Sequence, residues 1–371
     1  MARKQSHYPR KHFELFRPNA RTRLQTAASL LGLLAGVLML LHLFQTTDFS
    51  GVPTLLARLG MGTVLLILIP YSIAAVLDTI SWRRLLSMGV RRFSFLRIFR
   101  IRTATEAVVI TVPLGSIISD PLKSWMLKRE IGLGLSSSAA SIVLRKTFLG
   151  FCQGLLALSI AAFSLLRPAS IASAGFSTSL IWTLFGAAFG IVVLYGTALG
   201  LLCNRSFIDR FHRWLARLPF PRIGRWFGEK EPQFREFNAH LRSFSFQSVL
   251  TFIALYTFIW LTESIETYMI LVLLGAHMTF PEAFLMEAAC VLMRTLMPMV
   301  PGGIGVQDTG YVSILTTAGN SDSLAAAFLV LKRFREVLWA IVGYALLATS
   351  RKKALAPDRS SEPLLAMASE P

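Results

Sequence analysis

Six apolar runs, 24–44, 59–80, 139–166, 178–203, 247–274 and 324–349, alternate with polar connections along this chain. Each has at least 21 residues, and about 20 helical residues cross roughly 30 Å of hydrocarbon. The first run is too long for the apolar core of a secretion signal and lacks a small-residue cleavage site, so it reads as a retained span. Two less regular stretches, 103–119 and 283–300, end in Pro/Gly clusters. Pro113 and Pro301 mark helix breaks, because proline lacks an N–H and collides with the preceding turn. Irregular backbone at membrane depth is tolerated only inside protein or beside a wet cavity. Each stretch is open to two readings, a re-entrant hairpin or a pair of short spans. The pattern predicts an all-α polytopic membrane protein with about six full spans and two broken-helix elements.

Composition agrees with this. Apolar residues make up 54% of the 371, charged residues 16%, and mean hydropathy is +0.56. Soluble domains carry about 25% charge, so a soluble enzyme and a disordered chain are both excluded. The net charge of +18 belongs to the connections. Residues 1–23 hold seven Lys and Arg, 81–102 seven, 204–246 nine and 351–353 three, against one in 45–58, one in 167–177 and none in 275–282. Cytoplasmic loops collect these residues, which places both termini in the cytoplasm and makes nucleic acid an unneeded partner. The chain divides into a basic N-terminus (1–23), one membrane domain (24–350, with the basic loop 204–246) and a tail (351–371) that reads as disordered. The segment R-R-F-S-F-L-R-I-F-R-I-R (91–102) has no clean helical face. It reads either as an interfacial segment beside anionic headgroups or as a plain topology signal.

Sliding the chain against itself by 188 residues brings Val112-Pro113 onto Val300-Pro301, Gly115 onto Gly303, Asp120 onto Asp308, Ala139 onto Ala327 and Arg145 onto Arg333. The repeat regions are about 103–166 and 283–349. The charge count gives the two copies opposite sense, and inverted repeats with broken helices are a transporter architecture with its site near the midplane.

Two segments concentrate the chemistry. In V-P-G-G-I-G-V-Q-D (300–308), Gly302, Gly303 and Gly305 permit tight turns and close approach to a ligand, and Gln307 adds a polar side chain. The helix resuming at Val306 would offer free N–H groups to an anion, with Asp308 capping it, pairing with a cation or carrying a proton. In K-R-F-R-E (332–336), charge lies well inside the last span, where it must be paired or wet. Arg333 is the expected inward group, with Arg145 as its repeat mate, and a guanidinium binds phosphate bidentately. Glu336 is placed to pair with Lys332. Glu263 and Glu266 share a helix face with Tyr256 and Trp260, and would neutralise the arginines or relay protons. Glu106 and Arg294, 188 apart and opposite in sign, suggest a bridge between repeats. The three cysteines and six histidines have no metal-ligand spacing, and neither G-x-x-x-x-G-K-[ST] nor G-x-S-x-G is present. No cofactor or metal is expected.

P-G-G-I-G-V-Q-D (301–308), followed in the next helix by K-R-F-R-E (332–336), resembles the flippase-like domain family. That family includes the transmembrane part of lysylphosphatidylglycerol synthases and related uncharacterised membrane proteins. The basic-basic-x-basic-Glu variant is similar to its hopanoid-associated branch. The resemblance covers about residues 25–350. It departs at Asp308, where the family usually has Glu, and in P-L-G-S-I-I-S-D (113–120), a looser motif that weakens the carry-over to Asp120. Only a short tail follows residue 350, so the soluble aminoacyl-transfer domain is not expected, nor is enzyme activity.

The resemblance implies a multi-pass protein of the bacterial inner membrane that flips an anionic or polar-headed lipid without ATP, with phosphate-bearing membrane lipids as its expected partners. The headgroup is expected in a cavity lined by Arg145 and Arg333, with Asp120 and Asp308 balancing charge. Two alternatives remain. One is a proton-coupled transporter of a small anion. The other is a non-catalytic membrane partner of a lipid-modifying or glycosyl-transfer enzyme, docking through 204–246.

Overall fold

The computed structural model describes residues 34, 36–87, 93–167, 176–203 and 245–355. The basic N-terminus, the loop 204–246 up to residue 244 and the tail beyond 355 lie outside the described residues. All the regular structure described is helical: α1 (Gly36–Thr46), then α2 (Val52–Arg58), α3 (Met61–Ser87), α4 (Phe95–Thr111), α5 (Gly115–Ile131), α6 (Leu135–Leu166), α7 (Thr178–Cys203), α8 (Phe246–Leu273), α9 (Phe280–Leu296), α10 (Val306–Thr317) and α11 (Asp322–Leu355). Four of these, α3, α6, α7 and α8, are long and apolar enough to cross a membrane. The first apolar run is described only from residue 34. The last lies within the 34-residue α11, which the K-R-F-R-E run interrupts.

The two Pro/Gly breaks fold as hairpin tips. A residue before proline is driven out of the helical region by its contact with the ring. Accordingly Val112 is extended (φ −111°, ψ 134°), and so is Val300 (φ −87°, ψ 120°). One residue after each proline the chain turns left-handed: Leu114 has φ 55° and ψ 23°, and its repeat mate Gly302 has φ 56° and ψ 11°. Leu114 is the one non-glycine with positive φ among the described residues. An equal conformation where one copy has Gly and the other Leu shows that the turn is imposed by the fold.

Hairpin one, α4–α5, begins earlier than the hydrophobic pattern predicts. Residues 95–102 are not a separate interfacial segment but the first turns of α4. Their arginines have partners that make this possible: Arg100 pairs with Glu130 at the end of α5, Arg97 donates to the Glu130 carbonyl, and Arg102 is buried on Asp78.

Contacts between the long helices set the orientation. Asp78 meets Arg145 and Trp82 meets Ser141, so α3 and α6 are antiparallel. Phe148 stacks near Phe252 and Tyr256, while Ala157 and Ser264 share a small cavity, so α6 and α8 are parallel. Hairpin one connects through three residues to the start of α6, and hairpin two, α9–α10, through six residues to the end of α8. The two hairpins therefore open toward opposite ends of the bundle, as an inverted repeat requires.

The repeat is larger than the motif match. Shifted by 188, α6 falls on 323–354, against Asp322–Leu355 observed for α11, and α3 falls on 249–275, against Phe246–Leu273 for α8. Each unit is thus long helix, arm, arm, long helix. Two cores follow: one around Trp82, Phe148 and Tyr256, the other around Met286, Cys290, Tyr311 and Phe328. In lipid such contacts stabilise through close packing rather than escape from water. Helix α1 crosses the second tip so closely that a Cβ on Gly305 would lie 2.4 Å from the Gly36 carbonyl oxygen. Helix α7 packs on α6 and turns Trp182, Phe189 and Leu194 outward.

Candidate functional site

Two buried acids organise the interior, one in each outer span. Asp78 accepts Arg102 Nε at 2.9 Å, Arg145 Nε at 2.9 Å and Arg145 Nη2 at 2.5 Å. Glu266, exactly one repeat offset away, accepts Arg335 Nη1 at 2.8 Å, and Lys332 Nζ lies 3.8 Å off. Both acids are followed by Thr. Unpaired charge at this depth costs several kcal/mol or more, so each acid makes a cluster of cations affordable. Tyr71 joins the two clusters, with Arg335 4.4 Å and Arg102 5.7 Å from its ring centroid.

The charged run of α11 spreads over three directions, as consecutive helical positions must. Lys332 bonds Glu287 at 3.1 Å, an acid that also accepts Thr267 Oγ1 and, at 2.8 Å, Tyr311 Oη. Arg333 holds Asp308 Oδ1 through Nη2 at 2.6 Å and Nε at 3.0 Å, and donates to the Gly302 carbonyl. Glu336 pairs with Arg333 and lies 3.6 Å from Arg335, not with Lys332 as the i+4 spacing suggested.

Where the tips approach each other, a cavity of about 400 Å³ opens, within the size range of small-ligand sites. Repeat one contributes Glu106, Ser116, Lys146 and Gln153, and repeat two Arg294, Thr295, Gly302, Gly303 and Glu336. Gln153 donates to Thr295 at 2.9 Å across the cavity wall. Lys146 pairs with Asp120 and donates to the Ser116 carbonyl at 2.8 Å. Arg294 has no hydrogen bond from its guanidinium and no ion pair within 4 Å among the described residues. It is the cation on this wall whose valence is open.

The predicted residues fall on both sides of this boundary. Gly302 and Gly303 line the cavity. Arg145 does not: it is 7% exposed and locked on Asp78. Arg333 lies behind the wall, held by Asp308 and Glu336. Gln307 is buried and donates to Tyr311. The N-terminus of α10 is not an open anion site, because the Asp308 carboxylate accepts the Gly305 N–H at 2.9 Å and α1 covers the turn. Glu106 and Arg294 face the same cavity without forming the expected ion pair. Pro113 and Pro301 sit at the tips as read.

Asp78, Lys146, Gln153 and Glu287 escaped the sequence reading. The 188 offset could have found Asp78, since Asp78-Thr79 overlies Glu266-Thr267, but a search for identities passes over an Asp/Glu exchange. No sequence signal separates Lys146 from Arg145 beside it; only the helix phase does.

A comparison with curated proteins returns no match. A family model described as the lysylphosphatidylglycerol synthase TM region matches residues 29–343. That span holds the first unit of the inverted repeat, the second unit as far as residue 343 and every residue of the cavity wall, and the chain belongs to this family.

Proposed function

We propose that the protein moves a lipid with a phosphate-bearing headgroup across the inner membrane, without ATP and without chemical conversion, its termini on the cytoplasmic side. The observation that carries this reading is Arg294, a guanidinium without an ion pair among the described residues, on the wall of a polar-lined cavity between two inverted hairpin tips. The family supports a role with membrane lipids. Arg294 holds the phosphate bidentately, Lys146 and Gln153 flank it, and Glu106 and Glu336 limit how long an anion stays. The acyl chains remain in the bilayer while the headgroup passes.

Reconstitution into vesicles of phosphatidylcholine with a fluorescent phosphatidylglycerol, read by quenching of the outer leaflet, tests this. Wild type equalises the probe between leaflets, and Arg294→Ala slows it at least tenfold with an unchanged unfolding temperature. Equal rates in the two proteins overturn the assignment. A wild type no faster than empty vesicles, with loss of a partner enzyme's activity instead, favours a non-catalytic partner role.

A further inference from the structure

The interior of the second repeat brings five acids, Glu263, Glu266, Glu287, Asp308 and Glu336, together with four cations, Arg294, Lys332, Arg333 and Arg335. Four of the acids have a cation in direct contact: Glu266 with Arg335, Glu287 with Lys332, Asp308 and Glu336 with Arg333. Glu263 has neither an ion pair within 4 Å nor a side-chain hydrogen bond among the described residues. The odd acid and the open cation, Arg294, line one enclosed space of about 10 Å³, roughly the room one water needs. Arg294 also lines the large cavity, as does Glu336. One guanidinium therefore stands between a bare carboxylate on one side and the place for a headgroup on the other.

We propose that Glu263 is a proton-binding site, and that it takes up one proton when Arg294 captures a phosphate. The proposal rests on the lipid-translocation reading above. With the cavity empty, Arg294 is the nearest uncommitted charge for ionised Glu263. A phosphate on Arg294 consumes that charge, and a bare carboxylate at membrane depth costs several kcal/mol. A proton given up by a hydronium ion of the solvent, whose O–H bond breaks as the Glu263 carboxyl O–H forms, removes the cost and leaves a water molecule behind. For a singly charged phosphodiester the loaded protein then gains no net charge.

Among the groups that share this enclosed space, Glu263 is the acid left for this role; Glu106, another carboxylate without an ion pair among the described residues, lies on the wall of the large cavity instead. From α9 it faces Glu287 and Arg294, and from α10 Asp308 and Tyr311. From α11 it faces Lys332, Arg333, Arg335 and Glu336. Tyr71 approaches from α3, and Glu266 lies one turn away on its own helix. Every one of these acids is already bound to a cation or capped by hydrogen bonds.

The test uses the full chain in detergent micelles, with dihexanoyl phosphatidylglycerol as probe and inorganic phosphate in a parallel series. Binding is followed by calorimetry from pH 5 to 9, and proton uptake by a dye in weak buffer. Wild type should take up one proton per lipid bound, and its affinity should fall roughly tenfold per pH unit above the titration of Glu263. In Glu263→Gln, affinity should no longer vary with pH and no proton should be taken up. Glu263→Asp, which keeps a titrating carboxyl, should retain the uptake and serves if the Gln variant does not fold. Binding without proton uptake in wild type overturns the coupling and leaves the translocator standing. Absence of lipid binding in wild type overturns the translocator and the coupling with it. Binding of inorganic phosphate with the same proton uptake, and no binding of the lipid, keeps Glu263 but reassigns the cargo to a free anion.

Discussion

The two repeats agree in their outer spans and differ at the cavity. Asp78 and Glu266 occupy equivalent positions and each holds two cations. Leu114 and Gly302 share one backbone conformation. On the cavity side the equivalence fails. Glu106 stands where the other copy has Arg294, and Lys146 where it has Phe334, whose ring is 47% exposed on the outer surface. The acid–cation clusters that the copies share build the scaffold, and the charged positions in which they differ, Glu106 against Arg294 and Lys146 against Phe334, set the charge of the cavity wall. A site made of two half-sites needs this asymmetry. Two identical copies would present the same sign of charge to each other.

The sharpest way to break this comparison is to remove the shared acids. Asp78→Asn and Glu266→Gln should each cost about 3–5 kcal/mol, because each leaves buried cations without a counter-charge. Intrinsic fluorescence during unfolding in detergent measures this, and a difference above about 2 kcal/mol between the two would show that the spans are not equivalent supports. Next comes Arg333→Ala, which exposes the motif residue as structural. It strips Asp308, whose side chain is 4% exposed, of its cation, while Arg333 itself is 25% exposed. The expected loss is about 2–3 kcal/mol after allowing for that exposure, in the same unfolding assay in which Arg294→Ala should be near neutral. The smallest effects belong to the tips. Leu114→Gly relieves a left-handed residue and should stabilise by up to about 1 kcal/mol or leave stability unchanged. Gly302→Ala should cost about 1 kcal/mol or more, since its Cβ would also come within 3.0 Å of the Ile110 carbonyl oxygen. Opposite signs from the two equivalent positions would sharpen the case that the turn belongs to the fold.

Much of the architecture was legible because hydrophobic length and proline are local signals. The span 178–203 agrees with α7 end to end, and both helix breaks fall at their prolines. The start of hairpin one was not legible, since five arginines among apolar residues look interfacial until Glu130 and Asp78 are known to await them. The candidate site was legible only in part. Motif strength drew attention to Arg145 and Arg333, yet in a membrane interior the cation most firmly tied to an acid is the one least able to bind cargo. Arg294 has no motif around it. What distinguishes it is the lack of a direct partner among the described residues, a three-dimensional property.

The crossing of α1 over the second hairpin tip joins residue 36 to residues 300–305. Contacts so distant along the chain are the slow ones to form. Helix α1 thus keeps its glycine notch uncovered until residues 300–305 have been made. Folding should therefore close this clasp late, between two segments far apart along the chain, and a chain cut short before residue 300 would leave that notch open to the wrong neighbour.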